Sequence, residues 1–193
     1  IGVDFGLVNI ATLSSGEKMS GKELETYRIK RQNVRSSLQS KGTRGSKRVL
    51  KRLSGKEKRT ASIVNHTIAK KIVAIARQEG KGIALENLKG IRKSVNNKGK
   101  VFRSRVGRWN FSLLRQYIEY KARLVGVPII LVEPHYTSQM CSCCFHIGSR
   151  HGKSFNCKHC GYSGHADVNA ARNIRSVGLS IDQPETSALF CQM

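Results

Sequence analysis

An α/β layer fold is predicted by three observations. Short apolar strands, some flanked by glycine, recur near residues 1–6, 82–86 and 127–132; stripes of three- and four-residue period separate them; and a cysteine-rich segment interrupts the last strand-to-helix connection. The opening Ile1-Gly2-Val3-Asp4-Phe5-Gly6 alternates apolar and small residues as a central strand does, and residues 10–13 continue it toward a turn at Ser14-Ser15-Gly16-Glu17. A hairpin of two or three strands is expected there. Leu24, Tyr27, Val34 and Leu38 then share one helical face, Gly42 and Gly45 interrupt it, and Val49 with Leu53 resumes it. Ala61, Val64, Ile68, Ile72 and Ile75 recur at helical spacing up to Glu79-Gly80, where glycine supplies a stop. The expectation is a basic helical hairpin over about 22–59, followed by a core helix. Gly82-Ile83-Ala84-Leu85-Glu86 reads as a short strand, 89–108 as a basic loop too polar to bury, 109–125 as a helix and 127–132 as another buried strand. Residues 134–164 hold the cysteines, 165–178 the closing helix, and 179–193 an unpatterned tail. Residues 1–133 and 165–178 thus form one α/β domain with 134–164 inserted.

Charge narrows the function. The chain has 193 residues, of which 35 are Lys or Arg and 12 are Asp or Glu, for a formal net charge of +23. Such a domain repels itself unless a polyanion shares the load, so nucleic acid is the expected partner. A hydrophobic fraction of 39% suffices for a core. No run approaches the roughly 18 apolar residues that cross a bilayer, so no membrane association is expected. Residue 1 is not Met and begins mid-pattern, which predicts a piece of a longer protein.

Six cysteines in a basic chain without a secretion signal point to metal rather than disulfides. Cys141 and Cys144 are separated by two residues, as are Cys157 and Cys160, with twelve between the pairs. Two such knuckles complete the tetrahedron of one structural Zn²⁺, with bonds of about 2.3 Å. A closed four-sulfur site leaves no position for a reactive water, so this zinc holds the insertion together and does no chemistry. Metal binding is then most of the ribbon's folding free energy. Cys143 and Cys191 are surplus, and His146, His151 and His159 read as surface residues of the ribbon.

Three acids lie inside apolar patterns: Asp4, Glu86 and Asp167. Asp4 shares a strand face with Gly2 and Gly6, which invites close approach by something else. Glu86 shares its face with Ala84, opposite Ile83 and Leu85. Asp167 precedes Ala170, Ala171 and Ile174 at i+3, i+4 and i+7, so it projects from an apolar helical stripe. Taken singly, Asp167 suits a helix N-terminus and Glu86 a pairing with Lys89 or Arg92. Taken together, converging carboxylates repel unless divalent cations reverse the local field. Oxygen ligands select Mg²⁺ or Mn²⁺, and two such ions about 4 Å apart support phosphodiester hydrolysis.

At this point the sequence resembles a known family. Ile1-Gly2-Val3-Asp4-Phe5-Gly6, Ile83-Ala84-Leu85-Glu86-Asn87-Leu88, Tyr136-Thr137-Ser138-Gln139-x-Cys141-x-x-Cys144 and Cys157-x-x-Cys160-Gly161-Tyr162-x-x-His165-Ala166-Asp167-x-Asn169-Ala170-Ala171-x-Asn173-Ile174 resemble successive motifs of TnpB (OrfB), the accessory nuclease of bacterial insertion sequences. The resemblance runs from residue 1 to about 177. It implies an RNase H-like (RuvC) mixed sheet flanked by helices, with a zinc ribbon inserted before the last helix. It further implies that Asp4, Glu86 and Asp167 are the catalytic, metal-binding acids of a DNA endonuclease guided by a transposon-encoded RNA. One structural Zn and two Mg (or Mn) would be its cofactors, and type V CRISPR effectors share the catalytic module. Family members carry a further N-terminal part that binds the guide RNA and recognises the motif flanking the target. The bacterial cell interior, near the nucleoid, is the location this implies.

The cations fit that setting. Between residues 28 and 59 the only acid is Glu57, while Arg31, Arg35, Arg44, Lys47, Arg48, Lys51 and Arg52 recur around the hairpin. Such a surface suits phosphates and could track the backbone of a guide–target duplex by shape. Loop 89–108 follows Glu86 and is expected as a lid whose Arg103 and Arg105 draw a strand toward the metals. Arg172, on the last helix, is a further phosphate candidate, with a surface salt bridge as its other reading. His66 reads as a satisfied helix residue, Trp109 as core, and His165 as a substrate contact or a turn residue. Competing functions are a non-catalytic nucleic-acid-binding ribbon protein or regulator, and a transposase-associated accessory factor. Covalent strand transfer is disfavoured, because no two histidines flank a single apolar residue.

Overall fold

The computed structural model of the chain describes residues 1–88, 99 and 111–182. Strand β1 (Gly2–Asp4) pairs antiparallel with β2 (Asn9–Leu13), which pairs antiparallel with β3 (Lys18–Ser20). On its other side β1 runs parallel to β4 (Ile83–Glu86), and β4 parallel to β5 (Ile129–Val132). The result is a mixed five-stranded sheet of order β3-β2-β1-β4-β5. The β2–β3 hairpin turns at Gly16, whose φ of 99° suits a residue without Cβ.

Period-two alternation assigns the two faces. Val3, Ile83 and Leu85 enter the main core with Ile72 of helix α2 (Arg44–Gln78) and Ile118 of α3 (Phe111–Leu124). Ala84 and Val132 instead pack on Ile174 of α4 (Ala166–Asp182). Asp4 and Glu86 therefore lie on the α4 face, in step with Gly2 and Ala84. The close approach expected beside Asp4 is made by α4 itself: a Cβ on Gly2 would sit 2.0 Å from the Ala171 carbonyl oxygen. At the far end of the same helix, a Cβ on Gly178 would meet Ala84 Cβ at 2.7 Å.

Helix α1 (Lys22–Lys41) ends at Gly42, in the left-handed region at φ 61°, and Thr43 caps α2 by accepting from the Ser46 N–H at 3.2 Å. Sequence spacing predicted a hairpin and then a separate core helix, but α2 runs unbroken from Arg44 to Gln78. The difference has a simple cause. Gly55, exposed in mid-helix, weakens the helix without needing a turn, and its neighbours are good helix formers. From residue 47 to 60 no α2 side chain is buried, and α1 buries only Leu24 and Arg28, so the first half of α2 and most of α1 form an arm away from the core.

A second difference concerns β5. It was expected to be buried, yet it is the sheet edge: only Val132 is fully covered, and Leu131 is 39% exposed. Ile129 packs toward the main core and Val132 onto α4, while Leu131 stays open, so an apolar run at this edge does not mean full burial. The closing helix also extends past residue 177, to Asp182. Between β5 and α4 lies the ribbon, an antiparallel sheet of β6 (Ser149–His151), β7 (Ser154–Asn156) and β8 (Ser163–His165).

Candidate functional site

The four predicted cysteines come together. Cys141 Sγ lies 3.7 Å from Cys160 Sγ, and Cys144 Sγ 3.6 Å from Cys157 Sγ. A tetrahedron with bonds of about 2.3 Å has edges of about 3.8 Å, so the four thiols fit a zinc ion as they stand. Backbone turns set this up. The residue after the second cysteine of each pair has positive φ, 60° at Phe145 and 73° at Gly161, and donates its N–H to the first cysteine's carbonyl, at 2.9 and 3.1 Å. Backbone N–H groups of Cys160 and His159 pull the Cys157 thiol down to about 6, against burial. The Cys144 thiol is favoured as an anion by the His146 N–H, yet burial and the three neighbouring sulfurs push it up to about 12. The sulfurs compete for one negative charge, which a divalent ion would absorb. Cys143 is exposed, and Cys191 lies outside the described residues.

The ribbon is tied to the main domain by two buried amides on α4. Asn169 donates from Nδ2 to the Met140 carbonyl at 2.6 Å and accepts from the Ser142 N–H at 2.8 Å. Asn173 donates to the Thr137 and Met140 carbonyls at 2.8 and 2.7 Å. Both are fully buried. Their i, i+4 spacing beside Asp167 was visible in the sequence; that they clamp the turn through which the chain enters the ribbon was not.

Asp4 lies within electrostatic reach of both Glu86 and Asp167. Burial holds the Asp4 carboxyl well above the ordinary carboxylate range, and the charges of Glu86 and then Asp167 raise it further, with Arg150 opposing. Burial also raises Glu86, partly offset by the hydroxyl that Thr137 donates to its Oε1. Asp167 opens α4, accepts from Asn9 Nδ2 at 3.2 Å on one oxygen, and from the Arg150 guanidinium at 2.9 Å on the other. Among the described residues, the groups of three or more ligating side chains within 4.8 Å of one another are cysteine and histidine sets, so the three carboxylates do not close to that distance. Like charges with little counter-charge among them repel, and Glu86 and Asp167 are each held by separate donors, Thr137 for the one and Asn9 with Arg150 for the other. The donor set nonetheless fits a hard divalent cation, which would supply the counter-charge that Arg150 alone provides to Asp167. A cleft of about 250 Å³ opens beside Glu86, lined by Phe5, Leu88, Phe111 and Arg115 among others. A larger groove of about 560 Å³ between the ends of α2 and α3 includes none of the carboxylates.

Sequence reasoning missed Asn9, Thr137 and Arg150. Thr137 stood inside a recognised motif, but its approach to Glu86 depends on the path of 133–141, which no local period encodes. Arg150 is the informative case: it belongs to β6 of the ribbon and reaches the main domain's helix, so the insertion contributes directly to the carboxylate pocket. His165 plays the turn role. Its Nδ1 accepts from the Asp167 N–H at 3.3 Å, capping α4, and burial together with Lys18 lowers its pKa.

The basic candidates divide. Arg44, Lys47, Arg48, Lys51 and Arg52 are exposed on one stripe of α2 and make no ion pair among the described residues. Arg31 instead sits over the ring of Tyr27, one turn earlier on α1, at 5.0 Å, and Arg35 pairs with Glu57 of α2 at 3.6 Å, so the second contact joins the two helices. Arg172 is exposed and donates to the Tyr162 hydroxyl at 3.3 Å rather than forming a salt bridge. Arg103, Arg105, the proposed lid 89–108 and Trp109 lie outside the described residues; so do the partners suggested for Glu86, Lys89 and Arg92. His66 stacks on Tyr117 with centroids 3.7 Å apart, as a satisfied helix residue does. No described helix is long and apolar enough to cross a membrane.

Sheet and ribbon define a basic α/β protein whose inserted ribbon carries a four-thiol centre and reaches Asp167 through Arg150. Residues 111–174 match the family model described as Cas12f1-like, TNB domain. A TnpB-like protein of Methanocaldococcus jannaschii is 34% identical over 170 residues, spanning 86% of this chain and 60% of that protein. A CRISPR-associated endodeoxyribonuclease Cas12f1 of Sulfoacidibacillus thermotolerans is 38% identical over 172 residues, spanning 81% of this chain and 39% of that one. Among solved structures, Cas12f1 in a complex with sgRNA and target DNA superposes with a TM-score of 0.72 at 23% identity, over 90% of this chain and 48% of that chain, which shows a shared fold. The chain is thus similar to TnpB-like proteins and to Cas12f1 over most of its own length, and to the Cas12f1-like TNB family model over its closing third before the tail. It spans 39–60% of these two sequence relatives.

Proposed function

We propose that this chain is the RNase H-like (RuvC) nuclease portion of an RNA-guided DNA endonuclease, with Asp4, Glu86 and Asp167 as its metal-binding acids. The observation that carries this reading is the placement of Asp4 on β1 between Glu86 on the adjacent strand and Asp167 on the helix above, on one face of the sheet. Divalent Mg²⁺ or Mn²⁺, when bound, would polarise a water and stabilise the leaving oxygen of a phosphodiester. The residues do the rest. The three carboxylates hold the cations, Asn9 and Thr137 orient Asp167 and Glu86, and Arg150 offers a fork of donors to a phosphate at the same point. The cysteine site would hold one structural zinc and so keep β6, with Arg150, in place. The exposed stripe from Arg44 to Arg52 would follow a nucleic-acid backbone, and relatives named as RNA-guided or CRISPR-associated nucleases make guide RNA and target DNA the expected partners of the full-length protein.

Cleavage of labelled single-stranded and duplex DNA with Mg²⁺ or Mn²⁺, by the full-length protein with its guide, tests the assignment. Asp4→Asn and Asp167→Asn should each lower the rate by about 10²-fold or more at unchanged DNA affinity. Equal rates in parent and variants would remove the acids from the mechanism and leave a metal-stapled polyanion binder.

A further inference from the structure

We propose that Cys144, His146 and His159 form a second, solvent-facing site for a zinc-class divalent ion, sharing the Cys144 thiolate with the four-cysteine centre. The inference rests on that centre holding zinc and goes beyond it. One ligating atom from each of the three residues lies within 4.8 Å of the others. The two histidines come from opposite knuckles, His146 two residues after Cys144 and His159 one before Cys160. Their rings stack with centroids 3.5 Å apart and planes 8° from parallel, so both imidazoles stand at one edge of the sulfur cluster, and one exposed ring must turn about its Cα–Cβ and Cβ–Cγ bonds to bring both in-plane lone pairs onto one ion.

The hydrogen bonding suits a ligand role. His146 Nδ1 lies 3.0 Å from the Cys144 carbonyl oxygen. Donating there leaves the Nε2 lone pair free, the arrangement in which a metal-bound histidine is usually held by its surroundings. Both rings are exposed, so an ion can reach them from water, whereas Cys141 and Cys157 are buried. A thiolate sulfur has lone pairs for two ions. One sulfur and two nitrogens select a borderline-soft ion over Mg²⁺, and three protein ligands leave a coordination position for water. The chain's charge of +23 opposes the binding of a further cation, so the second equivalent should bind more weakly than the first.

The test is the zinc content of the full chain, equilibrated with ZnCl₂ and freed of excess by gel filtration, in parent and in the His146→Ala/His159→Ala double variant. The parent should carry two zinc ions per chain and the variant one; that retained ion reports that the ribbon of the variant still folds. Cobalt substitution gives an independent reading, because a second Co²⁺ equivalent should add absorption in the parent and none in the variant. Saturation of the parent at one ion, or two ions in the variant, overturns the second site while sparing the first. A parent that takes up no zinc overturns the four-cysteine reading and this one with it.

Discussion

The four thiols and the three carboxylates are each gathered from separated stretches of the chain, yet the fold holds them in opposite ways. The thiols stand at the spacing of a zinc tetrahedron, 3.6 and 3.7 Å apart across the knuckles, because two backbone turns place them there. The carboxylates remain apart: Glu86 and Asp167 are bound to neutral or cationic donors, and Asp4 feels the charge of both. The soft site is built locally by turns that need only a few residues. The hard site is built by the whole fold, since its members ride on β1, β4 and α4. Removing metal should therefore dismantle the first and only loosen the second.

The largest effect tests that contrast directly. Cys157→Ser, or a strong chelator, removes a site whose metal contributes on the order of 10 kcal/mol in zinc-dependent folds. The ribbon's buried cluster is Cys141, Phe155, Cys157 and Ala166, separate from the main core. Hydrogen exchange should accordingly show lost protection over 141–165 while β1, β4 and α2 keep theirs. Cleavage should fall too, because Arg150 leaves with β6. Equal loss of protection in both regions would mean the ribbon and the sheet fold as one unit.

Next in size is the contact that brings α4 onto the sheet. Gly2→Ala places a methyl 2.0 Å from the Ala171 carbonyl oxygen and 2.6 Å from the Arg175 nitrogen, both backbone atoms that cannot rotate aside. The helix must shift, at about 3 kcal/mol or more, lowering Tm by roughly 10 °C. Because Asp167 rides on that helix, Mg²⁺-dependent cleavage should drop even where the variant remains folded. Zinc content should not change.

The carboxylate pocket also predicts a pH dependence with a definite sign. Asp4 and Glu86 have folded-state pKa values above their ordinary ones, mainly through burial. Their contribution to stability is thus complete below the ordinary carboxylate range and is lost as pH rises through the raised values. Metal-free protein should show a falling Tm from pH 4 toward neutrality, and Mg²⁺ should restore more at neutral than at acid pH. Asp4→Asn should flatten the profile and shrink the Mg²⁺ effect. A Tm equally insensitive to Mg²⁺ at both ends would separate these acids from cation binding.

On the basic arm the effect is smaller and lies in binding. Arg48→Gln removes one exposed cation from the α2 stripe, and the slope of log affinity against log salt for duplex DNA should shrink by about 0.9 if that residue meets a phosphate. Arg35→Gln should leave the slope unchanged, because Arg35 is engaged with Glu57.

How much was legible beforehand follows the same division. The four-thiol cluster was readable because the cysteine spacing is local, and the faces of Asp4 and Glu86 because strand alternation is. The antiparallel hairpin and both parallel strands also followed from period and glycine punctuation. What the sequence hid is long-range or continuous: the unbroken α2, whose first half leaves the core; the edge position of β5, which an apolar run does not reveal; and Arg150, whose reach to Asp167 depends on how the ribbon docks through Asn169 and Asn173. Charge alone did not separate Arg35 from Arg48, since pairing with Glu57 is a packing fact.

The smallest effect compares the two knuckles with each other. They share one backbone turn, but the left-handed position is Gly161 in one and Phe145 in the other. A residue with Cβ at φ 60° is strained by about 1–2 kcal/mol, and Phe145 recovers little through packing because it is 52% exposed. Phe145→Gly relieves that strain, while the freer unfolded chain takes back up to about 1 kcal/mol. The net gain should be about 0.5–1 kcal/mol, read as tighter zinc retention in a chelator competition, with Gly161→Ala shifting retention the opposite way. Weaker retention in Phe145→Gly would mean that the exposed ring has a partner whose loss outweighs the relieved turn.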